Sequence, residues 1–147
     1  MTFQPDPHAL RWRIHLISPP GQVHAVLMTD LGRAHFWAES AREEDGVITW
    51  VFPGGQTWRG EVLENVPPRR FAVRYVDGSV ATFDLADDGS GGTDLTLTDA
   101  GVPTEHRAEV AAGWVSVLLG LKAAVDFGVD LRNHDPARTW AQGYVDT

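Results

Sequence analysis

The sequence predicts an α+β fold in which an antiparallel sheet of about six or seven strands wraps around one long C-terminal helix. The longest apolar stretch, from Glu105 to Leu131, carries its apolar residues at helical spacing. Most of the chain before it alternates between apolar and polar residues and contains strong turn signals, which is typical of β-hairpins. A helix with one apolar face must bury that face, and a single curved sheet is the simplest partner.

Composition narrows the class of protein. A chain of 147 residues predicts one domain covering residues 1–147. The net charge is −8 with no cluster of Lys and Arg, which disfavours nucleic acid and anionic membranes as partners. Cysteine is absent, which excludes disulfides and thiol nucleophiles. The N-terminus does not look like a signal peptide and no apolar run approaches the length of a membrane span. We therefore expect a cytoplasmic protein without membrane insertion.

The first elements are predicted to be one strand and two short helices. Residues 11–17 alternate in polarity, which indicates a half-buried strand. Ser18 precedes two prolines and is expected to cap a short helix that ends near Met28. A second short helix is expected from Asp30 to about Phe36, with Leu31 on its buried side.

Hairpin signals organise the middle of the chain. Asp45-Gly46 and Asp77-Gly78 are dipeptides that favour tight β-turns. Apolar and polar residues alternate on both sides of these turns. Thr104 is the expected N-cap of the long helix. The predicted strands are residues 37–44, 47–52, 56–65, 70–76, 79–86 and 93–99.

Three glycines interrupt the long helix. Gly113, Gly120 and Gly128 each disfavour a helix by about 1 kcal/mol relative to alanine. The pattern places Gly128 in the middle of the apolar face. The missing side chains are explained either by close approach of another segment or a bend, or by space for a ligand between helix and sheet.

The C-terminal tail, residues 132–147, is expected to dock on the domain. Trp140 and Tyr144 are four residues apart and can face one surface. Asp135-Pro136 resembles the start of one short helix, which would end near Gly143. A tail that carries two large aromatic residues is more typical of a docked segment than of a free one.

Several short patterns follow one another in a fixed order. They are Ser18-Pro19-Pro20, Trp37, Gly60-Glu61-Val62, the PPRR turn at 67–70 with Phe71, residues 92–98 (GTDLTLT), and Gly113-Trp114 with Leu118, Leu121 and Lys122. This order resembles the START-like (SRPBCC) superfamily, the birch-pollen-allergen-like helix-grip fold. More closely, it is similar to the branch named after the activator of heat-shock protein 90 ATPase. The resemblance implies a cavity between the long helix and the concave sheet.

Candidate site residues follow from that implied cavity. Those expected to contact a small hydrophobic or amphipathic ligand are Trp37, Trp58, Tyr75, Phe83, Trp114, Leu118 and Leu121. The alternative is that these side chains simply fill the core. His24, His35 and His106 are candidate polar anchors in the cavity. The six histidines show no metal-ligand spacing, so neither a metal nor a cofactor is predicted.

Three functions are consistent with this reading. The favoured function is non-catalytic binding of a small hydrophobic or amphipathic molecule such as a lipid, which the helix glycines and the many aromatic residues suggest. No catalytic residue is predicted, and no serine has a nucleophile-elbow context. The first alternative is a polyketide cyclase- or aromatase-like enzyme that uses the same cavity, with His24, His35, Tyr75 or His106 as acid or base. The second is an interaction or co-chaperone-like module, in which Val115 and Leu119 could join a homodimer.

Overall fold

The computed structural model describes residues 3–147 and has seven strands and three α-helices in this part of the chain. The strands are β1 (Ala9–Leu16), β2 (Ser40–Glu44), β3 (Val47–Val51), β4 (Thr57–Val66), β5 (Arg70–Arg74), β6 (Val80–Asp87) and β7 (Thr93–Ala100). The helices are α1 (Pro20–Met28), α2 (Asp30–Ala34) and α3 (Arg107–Phe127). The strands form one antiparallel sheet in the order β1-β7-β6-β5-β4-β3-β2. This architecture confirms the predicted helix-grip fold.

The two predicted Asp-Gly turns are confirmed. Asp45 and Gly46 have φ values of 52° and 78°, and they join β2 to β3. Asp77 and Gly78 have φ values of 60° and 76°, and they lie in a 3-10 turn, Val76–Gly78, between β5 and β6. Positive φ at both positions is the geometry that tight hairpin turns require, and Asp-Gly accommodates it well. β5 ends at Arg74, two residues earlier than expected, because this turn begins there.

Ser18 has a different role from the one predicted. The N-cap of α1 is Pro19, and no side chain caps this helix. The Ser18 hydroxyl instead lies 3.0 Å from the carbonyl oxygen of Val125 and 2.8 Å from Oδ1 of Asp126. Both partners belong to the last turn of α3, so Ser18 ties the end of β1 to the long helix.

The second short helix buries an arginine and leaves its leucine in solvent. Leu31 is 69% exposed, so its predicted burial is wrong, whereas Arg33 is fully buried. Arg33 donates from Nε to the carbonyl oxygen of Ala41 at 2.9 Å and from Nη1 to that of Leu27 at 3.0 Å. Its Nη2 donates to Asp30 at 2.6 Å. This guanidinium therefore joins α1, α2 and β2.

The long helix is shorter than the apolar stretch suggests. A 3-10 turn, Thr104–His106, precedes it, and His106 rather than Thr104 is the N-cap of α3. At the other end Gly128 adopts the left-handed conformation, with φ of 65°, and its N–H donates to the carbonyl oxygen of Ala124 at 3.1 Å. Gly128 thus terminates the helix by C-capping, and the prediction that it lies within the apolar face is wrong.

By length and composition alone, the segment Thr104–Phe127 is apolar enough to cross a membrane, with a mean hydropathy of 1.6. The expectation that no apolar run approaches that length is therefore wrong. In the fold, Trp114, Leu118, Leu121 and Val125 are buried on the side of α3 that packs in the main core. The core helix of a globular domain meets the same criterion, and the fold gives no clear sign of membrane insertion.

Candidate functional site

The centre of the space between helix and sheet is filled by aromatic rings. The Trp37 ring lies 5.3 Å from that of Trp50, 5.5 Å from Tyr75, 5.6 Å from Phe83 and 5.8 Å from Trp114, measured between centroids. Trp37 lies in the segment after α2, Trp50 on β3 and Tyr75 directly after β5. Phe83 is on β6 and Trp114 is on α3. Tilted and edge-to-face contacts at such distances are favourable. The middle of the predicted cavity is therefore occupied by the protein's own side chains.

A cavity of about 700 Å³ remains at one end of this aromatic cluster. We call it the helix–tail cavity. Five segments bound it: the segment between α2 and β2, the β3–β4 loop, the β5–β6 turn, the first half of α3 and the C-terminal tail. Its lining residues are Trp37, Phe52, Pro53, Gly54, Gln56, Tyr75, Val76, Asp77, His106, Glu109, Val110, Gly113, Trp114, Ser116, Val117, Thr139, Trp140, Ala141 and Thr147. The volume is in the range that small-molecule sites occupy.

The structure places only some of the predicted contact residues at this cavity. Trp37, Tyr75 and Trp114 line it, while Phe83, Leu118 and Leu121 lie in the packed core and Trp58 is half-buried beside it. Contact of any of the seven with a ligand stays a prediction.

The three candidate histidines lie in different parts of the fold. His106 lines the cavity, and its Nδ1 lies 2.8 Å from Oδ2 of Asp77. His24 is buried on α1, where its Nε2 lies 2.9 Å from Oδ1 of Asn65. His35 is exposed at the C-terminus of α2. Of the three, His106 is in position to contact a molecule in the helix–tail cavity.

The helix glycines have three different roles. A Cβ at Gly113 would meet nothing within 4 Å, and Gly113 lines the cavity. A Cβ at Gly120 would lie 3.3 Å from the carbonyl oxygen of Phe36, so Gly120 permits close approach of the backbone. Gly128 is the C-cap. Gly120 therefore fits the explanation by close approach, whereas Gly113 borders open space.

Sequence reasoning missed the part of the wall that the C-terminal tail contributes. Thr139, Trp140 and Ala141 line the cavity, and Trp140 donates from Nε1 to Oε1 of Glu109 at 3.0 Å. The tail's short helix is a 3-10 turn, Trp140–Gln142, which begins after Thr139 rather than at Asp135 and ends at Gly143 as expected. The aromatic residues of the tail and the glycine flank of α3 were usable signals for docking, but the contact of Trp140 with Glu109 could not be predicted from the sequence.

Arg132 and His134 hold the tail beside α2. Arg132 donates from its guanidinium to the carbonyl oxygens of Ala34 and Ala38, each at 2.6 Å. His134 lies between two carboxylates, with Nε2 2.7 Å from Asp130 and Nδ1 2.9 Å from Glu39. The contacts with Asp130 and then Glu39 raise the pKa of His134 above its ordinary value. The tail is thus positioned by a charged cluster close to Trp37.

We expect docking of the tail to weaken as pH rises. The pKa of His134 is higher in the docked state, so its protonation stabilises docking fully below the ordinary value of about 6.5. That contribution is lost as pH rises through the raised pKa. Because the side chain is 40% exposed, solvent screening keeps the effect modest. The Trp140 indole N–H resonance, followed by NMR across this range, reports docking.

The matched variant is His134→Gln, which keeps a side chain able to form hydrogen bonds but does not titrate. Its Trp140 resonance should change little over the same pH range. Identical pH profiles for the wild-type protein and the variant would contradict the role of His134.

Buried polar atoms adjoin the inner wall. Trp37 donates from Nε1 to the hydroxyl oxygen of Tyr75 at 3.0 Å, and Trp114 donates from Nε1 to Oδ2 of Asp99 at 2.8 Å. Burial raises the pKa of Asp99, although the hydrogen bond from Trp114 acts in the opposite direction. Burial likewise raises the pKa of Tyr75, so its hydroxyl keeps its proton. The inner wall therefore holds polar groups in a mostly aromatic surrounding.

Charges at the mouth of the cavity are mainly negative. Asp77 and Glu109 line it together with His106, and no Lys or Arg does so within residues 3–147. In the same part of the chain, no group of three or more His, Asp or Glu side chains could hold a metal ion. The chemistry of this lining suits an apolar molecule that carries a few polar groups.

A second, smaller apolar groove of about 500 Å³ lies between α3 and the tail. Val115 and Leu119 from the helix and Leu131 and Val145 from the tail contribute to it. Leu119 is 50% exposed. The residues that the sequence suggested for a homodimer are thus accessible and border an apolar groove.

The fold, together with the helix–tail cavity, defines a START-like helix-grip protein. Residues 17–126 match the family described as activator of Hsp90 ATPase homolog 1-like protein, and the chain belongs to that family. No curated protein matches the chain.

Solved structures support the same fold. The Aha1 dimer from Colwellia psychrerythraea has a TM-score of 0.73 at 21% identity, covering 82% of this chain and 97% of that one. Protein CV1439 from Chromobacterium violaceum has a TM-score of 0.63 at 26% identity, covering 82% and 99%. DynU16, described as a protein in the dynemicin biosynthetic locus, has a TM-score of 0.74 at 20% identity, covering 86% and 49%.

Proposed function

We propose that this single-domain protein binds a small hydrophobic or amphipathic molecule in the helix–tail cavity, in the cytoplasm and without catalysing a reaction. The observation that carries the proposal is the cavity of about 700 Å³ beside Gly113, where the helix omits a side chain that the surrounding space would accept. Trp37, Trp114 and Trp140 give its wall large apolar surfaces. Sites of this kind bind mainly through apolar contact and use a few polar groups for orientation.

Native mass spectrometry of freshly purified protein tests the proposal. We expect a species heavier than the chain by the mass of one small molecule, which denaturation releases and extraction identifies. Protein carrying Gly113→Leu, purified in parallel, should lack the added mass. An identical adduct on both proteins would place the molecule elsewhere, and a titration in which no apolar probe binds would contradict the proposal.

A cyclase-like enzyme is the second candidate, favoured by the pair of Asp77 and His106. The carboxylate lies 2.8 Å from Nδ1 and leaves Nε2 available for proton transfer at the cavity wall. If the protein cyclises a poly-β-ketone, His106→Gln should abolish turnover and preserve binding. Unchanged turnover in a folded variant would exclude His106 as the acid or base.

Homodimerisation through the second groove is a third candidate, supported by the exposure of Val115 and Leu119. The relative from Colwellia psychrerythraea is described as a dimer. Sedimentation equilibrium should then show a dimer that Leu119→Lys dissociates. A monomer over the whole concentration range would contradict this candidate.

A further inference from the structure

One residue that lines the helix–tail cavity, Tyr75, has a hydrogen-bond donor that is not used. The Tyr75 oxygen accepts from Trp37, and within residues 3–147 the Tyr75 hydroxyl donates to no other group. Tyr75 is only 9% exposed, and it lines the cavity. Three further buried atoms have no partner in the same described part of the chain, Nε1 of Trp50, Nε1 of Trp58 and Oδ1 of Asp99, and none of these three residues lines the cavity.

Tyr75, Trp50 and Trp58, which carry these donors, are neighbours in the fold. The Trp50 ring is 5.2 Å from that of Tyr75, and Trp50 faces Trp58 across the β3–β4 pair. A buried donor without an acceptor costs about 1–3 kcal/mol. An oxygen that accepts a hydrogen bond and donates none would remove that cost at Tyr75, which lines the cavity and whose hydroxyl keeps its proton.

Negative charge at the mouth of the cavity disfavours a carboxylate as the source of such an oxygen. Asp77 and Glu109 line the cavity, and the cationic form of His106 would balance only one of these carboxylates. Glu109 is held in place by the indole of Trp140. A fatty-acid carboxylate would therefore enter a low-dielectric site beside like charges and without a Lys or Arg partner among the lining residues, which is unfavourable.

Resting on the proposed function, we propose that the ligand is an uncharged carbonyl compound, a ketone or an ester on an apolar chain. Its carbonyl oxygen accepts a hydrogen bond from the Tyr75 hydroxyl. Its chain lies against Val110 and Val117 on α3, and Trp140 of the tail covers it. Fatty-acid anions of the same length bind more weakly because Asp77 and Glu109 repel them.

Isothermal titration calorimetry with decan-2-one and decanoate tests this selectivity at neutral pH. We expect the ketone to bind about tenfold more tightly than the anion. Tyr75→Phe should raise the dissociation constant of the ketone about fivefold, which corresponds to the loss of one neutral hydrogen bond. Tyr144→Phe removes the hydroxyl of the chain's other tyrosine, which does not line the cavity, and should leave binding unchanged.

Failure of this inference can be distinguished from failure of the proposed function. If decanoate binds as tightly as the ketone, or if folded Tyr75→Phe binds the ketone normally, the inference is overturned and the cavity still binds apolar molecules. If neither probe binds, both proposals fail. Because Tyr75→Phe also removes the acceptor of Trp37, infrared spectra of carbonyl-labelled ketone bound to the wild-type protein supply a second readout. A stretch at the frequency seen in alkane would overturn the hydrogen bond to Tyr75.

Discussion

Replacing Gly113 by leucine is expected to abolish ligand binding without destabilising the protein. A Cβ at this position meets nothing within 4 Å, so the new side chain extends into the helix–tail cavity rather than into packed atoms. Leucine is also a better helix former than glycine, which should raise the free energy of unfolding by about 0.8 kcal/mol. Binding should weaken about 100-fold, equivalent to about 2.8 kcal/mol.

The control for Gly113→Leu is Ala112→Leu. Ala112 is the preceding residue on α3, is exposed, and borders the second groove instead of the helix–tail cavity. This variant should bind decan-2-one normally. Tryptophan fluorescence gives the affinity, and urea denaturation gives the stability. Normal binding by Gly113→Leu would show that ligands do not occupy this cavity.

Replacing Arg33 by alanine is expected to produce the largest loss of stability. The guanidinium is fully buried and is the donor to the carbonyl oxygens of Leu27 and Ala41. Its removal leaves a void and two buried acceptors without donors, which together should cost about 4 kcal/mol. Trp37 follows α2 closely, so the inner wall of the cavity should loosen as well. Urea denaturation, with the slope of the transition checked for change, measures the effect.

Two further variants separate the causes of this loss. Arg33→Met fills much of the volume but supplies no donors, so it should cost about half as much as the alanine variant. Arg42→Ala removes an exposed arginine of β2 and should change stability by less than about 0.5 kcal/mol. If Arg33→Ala were no more destabilising than Arg42→Ala, the proposed bracing of α1, α2 and β2 would be wrong.

The order of elements could be predicted because local chemistry determines it. The Asp-Gly turns at 45–46 and 77–78 adopt the positive φ values that such dipeptides favour, and alternation in polarity marks the strands between them. The errors occurred where tertiary contacts override local preference. The sequence predicts Ser18 as a helix cap, but its hydroxyl forms a hydrogen bond with α3. It predicts that Leu31 is buried, but Arg33 is the buried residue of that helix and Leu31 is exposed.

The site was harder to predict than the fold. Trp37, Tyr75 and Trp114 line the cavity, while Phe83 and Leu121 have the same apolar character and lie in solid core. One sequence cannot distinguish these cases, because the difference depends on how closely rings from separate elements pack. The helix glycines indicated the cavity better than the aromatic residues did. Only the structure shows, however, that Gly113 faces open space and Gly120 faces the backbone of Phe36.

Methyl-resolved NMR during titration with decan-2-one tests the location of the site most directly. The helix–tail cavity predicts the largest shift changes at Val76, Val110 and Ala141, which line it on three different segments. Leu27, buried on α1 away from the cavity, should not respond. Largest changes at Leu119 and Val145 would place the ligand in the second groove and contradict the account.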